Sequence, residues 1–279
     1  MNAYNIFTDV RSNLAEAEAK HWTDADVLRK INSEQRKWAT IIASQPGDWL
    51  VESADVTPIA SQVALPPDCA KPVYMEEKSS GMNIPINANL RDRRVTRQPS
   101  MTLYSGFIEA YPIKDYIEVN VSGYTTEVTL WYQKRIMDLI CGQGANGTGA
   151  AAIVIPLEME PSMVDDYYND AVIECVVGTL AGTRDIVTDY VATTRTLTVA
   201  GTYDLTSDFG TVSELPQECH DIIPLGATLT LLAKPSSAVD PKYFQYFLSE
   251  YVRSRKDLIE WLASRTSGSN RTRIVEYDQ

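Results

Sequence analysis

Apolar residues in this chain follow two different periods, and the change from one to the other limits what it can fold into. At both ends they recur at three- and four-residue steps, as on a helix with one buried face, whereas in the middle they alternate, as on a strand. Ile6, Val10, Leu14 and Ala17 make a narrow stripe near the N-terminus, and a second helix follows a joint near Ala19-Lys20-His21. Thr23 caps that helix, with Asp26 three positions on as in a capping box. Val27, Leu28, Ile31, Trp38, Ile41 and Ile42 then share one face before Pro46-Gly47 stops it. Toward the C-terminus, Leu225, Leu229, Leu231 and Leu232 form a short apolar helix ended by Lys234-Pro235. Asp240-Pro241 opens the longest helix, with Phe244, Phe247, Leu248, Tyr251, Leu258, Ile259 and Leu262 at helical spacing as far as Arg265, a span of about 36 Å.

Between these ends, Leu65-Pro66-Pro67-Asp68 begins a region with strands near Val73–Glu77, Met101–Phe107, Tyr116–Val121 and Glu127–Tyr132. The run from Gly142 to Gly149 is a linker; it lacks the G-K-[ST] ending of a phosphate loop, so no cofactor is expected there. Beyond it, Ala171–Val177, Asp185–Tyr190 and Arg195–Val199 are strands, the last two forming a hairpin around Val191–Thr194. Four helices from opposite chain ends, each with one apolar stripe, are expected to cover one another. The fold class is therefore α+β: a bundle of N- and C-terminal helices, residues 1–45 plus 220–265, around a large β-rich insertion of sandwich or barrel type. The insertion comprises a first β region at 46–141 and a second at 150–219, and residues 266–279 form a C-terminal tail.

Charge singles out the second β region. The chain has 25 basic and 37 acidic side chains, net −12, but residues 137–215 hold 12 acids against Arg184 and Arg195, net −10. Such a surface repels phosphate, which argues against a protein that grips nucleic acid by counterion release. No apolar run approaches the roughly 18 to 20 residues that span a bilayer, and the first twenty residues lack the character of a secretory signal.

Catalytic chemistry finds little to work with. Cys69, Cys141, Cys175 and Cys219 stand singly, without zinc-ligand spacing, and are read as reduced thiols. Neighbours such as Cys219 and His220 do not face each other on a helix, and His21 has no nucleophile context. The run Asp165-Asp166-Tyr167-Tyr168-Asn169-Asp170 does not match an EF-hand loop and reads as a solvated loop leading into a strand. No catalytic residue, metal ligand or cofactor site is assigned. Two charged features point to contacts instead. Arg91, Arg93, Arg94 and Arg97 form a basic island suited to an acidic surface on a neighbouring copy, with Glu158, Glu160, Asp165 and Asp166 supplying that surface. After a hinge at Thr266–Asn270, Arg271, Arg273, Ile274, Val275 and Tyr277 suit an arm that orders on a partner, by strand addition for example.

The stretch from Trp22 to Arg36 resembles the opening helix of head-to-tail adaptor proteins of tailed bacteriophages, with Trp22, Asp24, Ile31, Asn32, Gln35 and Arg36 on the pattern and Leu65, Pro66 and Asp68 matching its L-P-x-D strand opening. Glu34 departs from it, since a small residue is usual there, so the helix face should pack differently at that point. The Val164–Asn169 stretch and the hairpin from Thr183 to Val199 are similar to the β insertion of larger members, and the His220-Asp221-Ile222 and Tyr251-to-Arg265 helices fit as well. The resemblance implies a structural virion protein, not an enzyme. It implies a ring of about twelve copies below the portal, at the capsid–tail junction, made in the host cytoplasm and without a membrane partner. Its partners are then itself, the portal protein, engaged by the C-terminal segment, and tail or nozzle proteins, while DNA passes through without specific binding. One alternative is a tail or baseplate component whose β module binds glycan through Tyr167, Tyr168 and Asn169. Another is a glycosidase, which needs two carboxylates about 5 to 9 Å apart in a pocket.

Overall fold

The computed structural model describes residues 1–16, 21–45, 47, 49–87, 108–142, 152–178, 180–201, 207–233 and 241–274, with side chains through residue 264. The chain divides into two units, one of Met1–Gly47 with Ile136–Gln279 and one of Asp48–Arg135. The expected strand Met101–Phe107, the Arg91–Arg97 island and most of the Gly142–Gly149 run lie outside the described residues. Gly142 itself is paired, and the division falls before it, at 135/136.

In the 48–135 unit, β1 (Val51–Val56), β6 (Val128–Lys134) and β3 (Cys69–Glu77) form one antiparallel sheet in the order β1-β6-β3. A second contains β2 (Gln62–Ala64), β5 (Tyr116–Val119) and β4 (Ala110–Ile113), ordered β2-β5-β4. The alternation of Val128, Leu130 and Tyr132 does what a half-buried strand requires: these side chains join Val63, Met75, Ile84, Ile117 and Val119 in one core. Pro72 is tolerated inside β3 because the register shifts beside it, between Pro72 and Tyr74. The Leu65-Pro66-Pro67-Asp68 turn is fixed by its last residue. The Asp68 carboxylate accepts from the Tyr132 hydroxyl at 3.1 Å and its carbonyl from the Arg135 amide at 2.6 Å. Burial and the Asp68 charge push the Tyr132 phenol up to about 12, so it remains a donor.

The other unit holds a six-stranded antiparallel sheet ordered β7-β12-β9-β10-β11-β8. Its members are β7 (Cys141–Gly142), β8 (Ala152–Val154), β9 (Val172–Val177), β10 (Arg184–Val191), β11 (Thr196–Val199) and β12 (Asp208–Thr211). The hairpin of β10 and β11 pairs Tyr190 with Leu197 and Val191 with Thr196. An irregularity between Val187 and Asp189 lets β10 pair with β9 through its first residues and with β11 through its last.

Among the described residues, four α-helices accompany this sheet: α1 (Ala3–Asn13), α2 (Asp24–Ser44), α3 (Ile222–Leu232) and α4 (Pro241–Ile274). Asn2 caps α1, its side-chain oxygen accepting from the Asn5 amide at 2.9 Å, and Thr23 caps α2 through the Asp26 amide at 3.1 Å. They are not arranged as the expected bundle of N- and C-terminal helices with a β insertion. Helix α1 lies on β12 and β7, and Asn2 bridges to Val212. Helix α3 is buried nearly all round, from Ile222 to Leu232, and contacts α1, α2 and α4. The physical reason is that an apolar stripe does not specify its cover. The Ala3, Ile6 and Val10 face of α1 is served partly by the sheet, so the acidic β strands belong to the same unit as the helices. The hinge expected at Thr266–Asn270 is likewise absent, since α4 continues as helix to Ile274 and at about 1.5 Å per residue runs about 51 Å. Adding a residue to a formed helix needs no new nucleus, so polar residues there extend α4 instead of ending it.

Candidate functional site

Polar residues of α2 join that helix to the segment that leads into β7. Leu28 and Ile31 are core. Asn32, one position on, accepts from the Leu139 amide at 2.7 Å and donates to the Leu139 carbonyl at 3.0 Å, pairing with backbone as a strand neighbour would. Gln35 donates to the Met137 carbonyl at 2.8 Å and accepts from Ser213 at 3.2 Å, and Arg36 pairs with Asp138. One face of α2 thus holds residues 137–139 in place. Beside it lies a cleft of about 240 Å³ lined by Arg29, Asn32, Arg36, Asp138, Glu160 and Tyr167 among others. Its cations are already partnered: Arg29 reaches Glu160 at 2.8 Å and Asp26 at 3.3 Å. An anionic ligand entering there would have to displace carboxylates from both arginines.

Glu34, the residue that departs from the pattern, is buried. Its buried carboxylate accepts from the Tyr251 hydroxyl of α4, from the Trp38 indole at 3.1 Å and from Lys37 at 3.1 Å. Gly226 on α3 gives it room. Burial, then the Glu34 hydrogen bond, raises the Tyr251 phenol above its ordinary value, so it stays protonated and donating. Burial works against the Lys37 ammonium, but Tyr251 and Glu34 outweigh it and the net shift is upward. Glu34 therefore fastens α2 to α4.

The acidic residues expected at a subunit contact are all exposed, and three also have work within the chain. Glu160 pairs with Arg29, Asp165 accepts from the Ala192 amide at 2.8 Å, and Asp166 accepts from the Asn169 side chain at 3.0 Å. Their basic counterparts Arg91, Arg93, Arg94 and Arg97 are outside the described residues. Arg271, Arg273 and Ile274 belong to the last helical turn described for α4, and Val275 and Tyr277 lie beyond it. Of the glycan candidates, Tyr168 is 2% exposed, wedged edge-on against Tyr167 and Tyr190, so it cannot stack on a sugar. The loop expected to be merely solvated is instead a series of turns anchored by that buried ring.

Among the exposed apolar side chains that were not read from the sequence, one set is in the acidic segment, where Leu157, Met163 and Val164 are 68%, 81% and 62% exposed. A second is on α4, where Leu248 and Val252 are 40% and 57% exposed. The spacing of Leu248, Val252 and Ile259 could have revealed the second, as it repeats the four- and seven-residue steps of the buried stripe.

The remaining candidate pair is dismissed by its geometry. His220 donates from Nε2 to the Leu215 carbonyl at 2.8 Å and accepts at Nδ1 from the Met1 amino group at 2.6 Å, so the ring is occupied on both sides. Burial pushes the Cys219 thiol up to about 12, the reverse of what a nucleophile needs. Among the described residues no cluster of three or more His, Cys, Asp or Glu could hold a metal, and no helix is long and apolar enough to cross a membrane. No protein-family model matches this chain, and no curated protein matches it either.

Proposed function

We propose that this chain is a structural virion protein, a head-to-tail adaptor of a tailed bacteriophage. In this reading it docks below the portal as a ring of about twelve copies, extends the DNA channel and gives the tail its platform. The observation that carries the reading is that one unit exposes two unlike sets of apolar side chains, Leu157, Met163 and Val164 in the acidic segment and the outer side of α4. Apolar patches of this kind mark protein contacts, and two different ones on one subunit suit a head-to-tail ring. Support also comes from α2, where Asn32, Gln35 and Arg36 of the resembling pattern hold residues 137–139 against the helix. Charge fits the conduit: the helix-and-sheet unit carries 16 basic against 26 acidic side chains, net −10, which disfavours adhesion to passing DNA. The end of α4 and the residues after it, Arg271, Arg273, Ile274, Val275 and Tyr277, engage the portal. Tail or nozzle proteins dock on the opposite side of the ring.

Co-sedimentation with purified portal protein tests this. The intact chain should travel with the portal, and a chain lacking Ser269–Gln279 should not. Absence of portal binding by the intact chain overturns the adaptor reading, and undiminished binding by the shortened chain overturns the docking role of the C-terminal segment.

A further inference from the structure

Helix α4 has two apolar stripes. Phe247, Tyr251, Leu258 and Leu262 are buried and fix it to the rest of its unit. About a quarter-turn round the helix, Leu248, Val252, Arg255 and Ile259 follow at steps of four, three and four, the spacing of a seam that packs against another element. Leu248, Val252 and Arg255 are exposed and Ile259 is half-buried. Along the stripe stand Arg253, Arg255 and Lys256 against Glu250 and Asp257, and residues 241–264 carry four basic and three acidic side chains, net +1 in a chain of −12. Arg253 and Lys256 touch acids of α4 only at 3.5 and 3.8 Å, with their side chains largely in solvent.

The Leu157–Asp166 segment has the opposite character. Leu157, Met163 and Val164 project among Glu158, Glu160, Asp165 and Asp166, with no basic residue in the segment. We propose that the outer stripe of α4 is the socket for this acidic protrusion of the next copy, an assignment that rests on the ring reading. Met163 and Val164 enter between Leu248, Val252 and Ile259, while Arg255 and Lys256 face Glu158 and Asp165. Both surfaces belong to the same unit, and each is exposed within its own chain, so the contact that covers both is between copies. Because the two surfaces differ, every copy offers one of each, and the contact propagates head to tail until it closes. Charge complementarity selects this occupant over a second α4, since Glu158, Glu160, Asp165 and Asp166 oppose Arg253, Arg255 and Lys256, whereas a second α4 brings the same cations again.

Two full-length variants, Val252→Glu and Met163→Glu, test the assignment. Both positions are exposed, so circular dichroism and melting should match wild type. Each variant alone should need at least about tenfold more protein to assemble than wild type, with or without portal protein. An equimolar mixture should form a one-to-one dimer and stop, because only one intact socket and one intact protrusion can meet. Assembly of Met163→Glu at wild-type concentrations, with Val252→Glu defective, would mean that α4 pairs with another α4 and overturns the proposal. Normal self-assembly of Val252→Glu with loss of portal binding would make the portal the occupant, overturning it equally. Wild-type assembly unchanged in both variants removes the socket and leaves the adaptor reading in place. A wild-type chain that stays single, alone and on the portal, removes both.

Discussion

Gly226 on α3 and Glu34 on α2 share one space: a Cβ on Gly226 would stand 2.5 Å from Glu34 Oε1 and 2.6 Å from its Cγ. The carboxylate could move aside only by giving up Tyr251 and Trp38, which hold it. Gly226→Ala should therefore destabilise by about 1 to 3 kcal/mol, although alanine by itself favours a helix by about 1 kcal/mol. In a Glu34→Ala background the clash disappears, so a double-mutant cycle in urea should show a coupling of at least about 1 kcal/mol. Additive costs would refute the shared space.

Gly210 presents the harder version of the same problem. Its Cβ would meet the backbone nitrogen of Tyr4 at 2.5 Å, where no side chain can swing away. Gly210→Ala must push α1 off β12 and should cost more than Gly226→Ala, on the order of 3 kcal/mol or above. Thermal melting of the two variants side by side checks the ranking.

The Asn32 link between α2 and the segment before β7 sits on a buried backbone. Asn32→Ala leaves both the amide and the carbonyl of Leu139 without their side-chain partner, at a cost of about 2 to 4 kcal/mol. Asn32→Asp keeps the acceptor for the amide but sets a carboxylate against the carbonyl, so it should fail to rescue. Urea midpoints that match wild type in either variant would contradict the role given to this residue.

Acid should expose His220. Burial, then the Met1 amino charge, hold its imidazole below the ordinary 6.5, against a smaller opposing pull from the Leu215 carbonyl and the acids Asp221 and Glu218. The folded state keeps this ring neutral while the unfolded chain takes up a proton. Its contribution is thus complete above about pH 6.5 and is lost as pH falls below that value. The difference in urea midpoint between wild type and His220→Asn should shrink between about pH 7 and 5. A constant difference across that range would show that the ring does not titrate in this way.

Thiol labelling should separate the cysteines. Burial pushes Cys141 and Cys219 up to about 12, whereas Cys69 is only half-buried and less strongly raised. Alkylation of the native chain near pH 8, followed by intact mass, should show Cys69 modified first and Cys141 and Cys219 only on unfolding.

The sequence carried α2 and its cap well, because Thr23 with Asp26 and the Val27, Leu28, Ile31 stripe are local signals that need no knowledge of neighbours. Hairpin β10–β11 was legible for the same reason, from the alternation on either side of Val191–Thr194. What the helices pack against was not legible: α1 takes β12 as a neighbour some two hundred residues away, and nothing in its Ile6 and Val10 stripe distinguishes sheet from helix. Short strands such as β7, two residues long, carry no period to detect. Glu34 announced itself as a departure from the pattern that α2 resembles, but its partners Tyr251 and Gly226 are remote in sequence. Asn32 and Gln35 stood out only through that resemblance, since their backbone partners at 137–139 are fixed by the tertiary fold.

Native mass measurement of the purified chain, alone and with portal protein, tests ring formation below the portal most directly. The expected result is a closed complex holding a fixed, ring-sized number of copies on the portal, whether or not the chain assembles alone. A stable trimer with no affinity for the portal would contradict it.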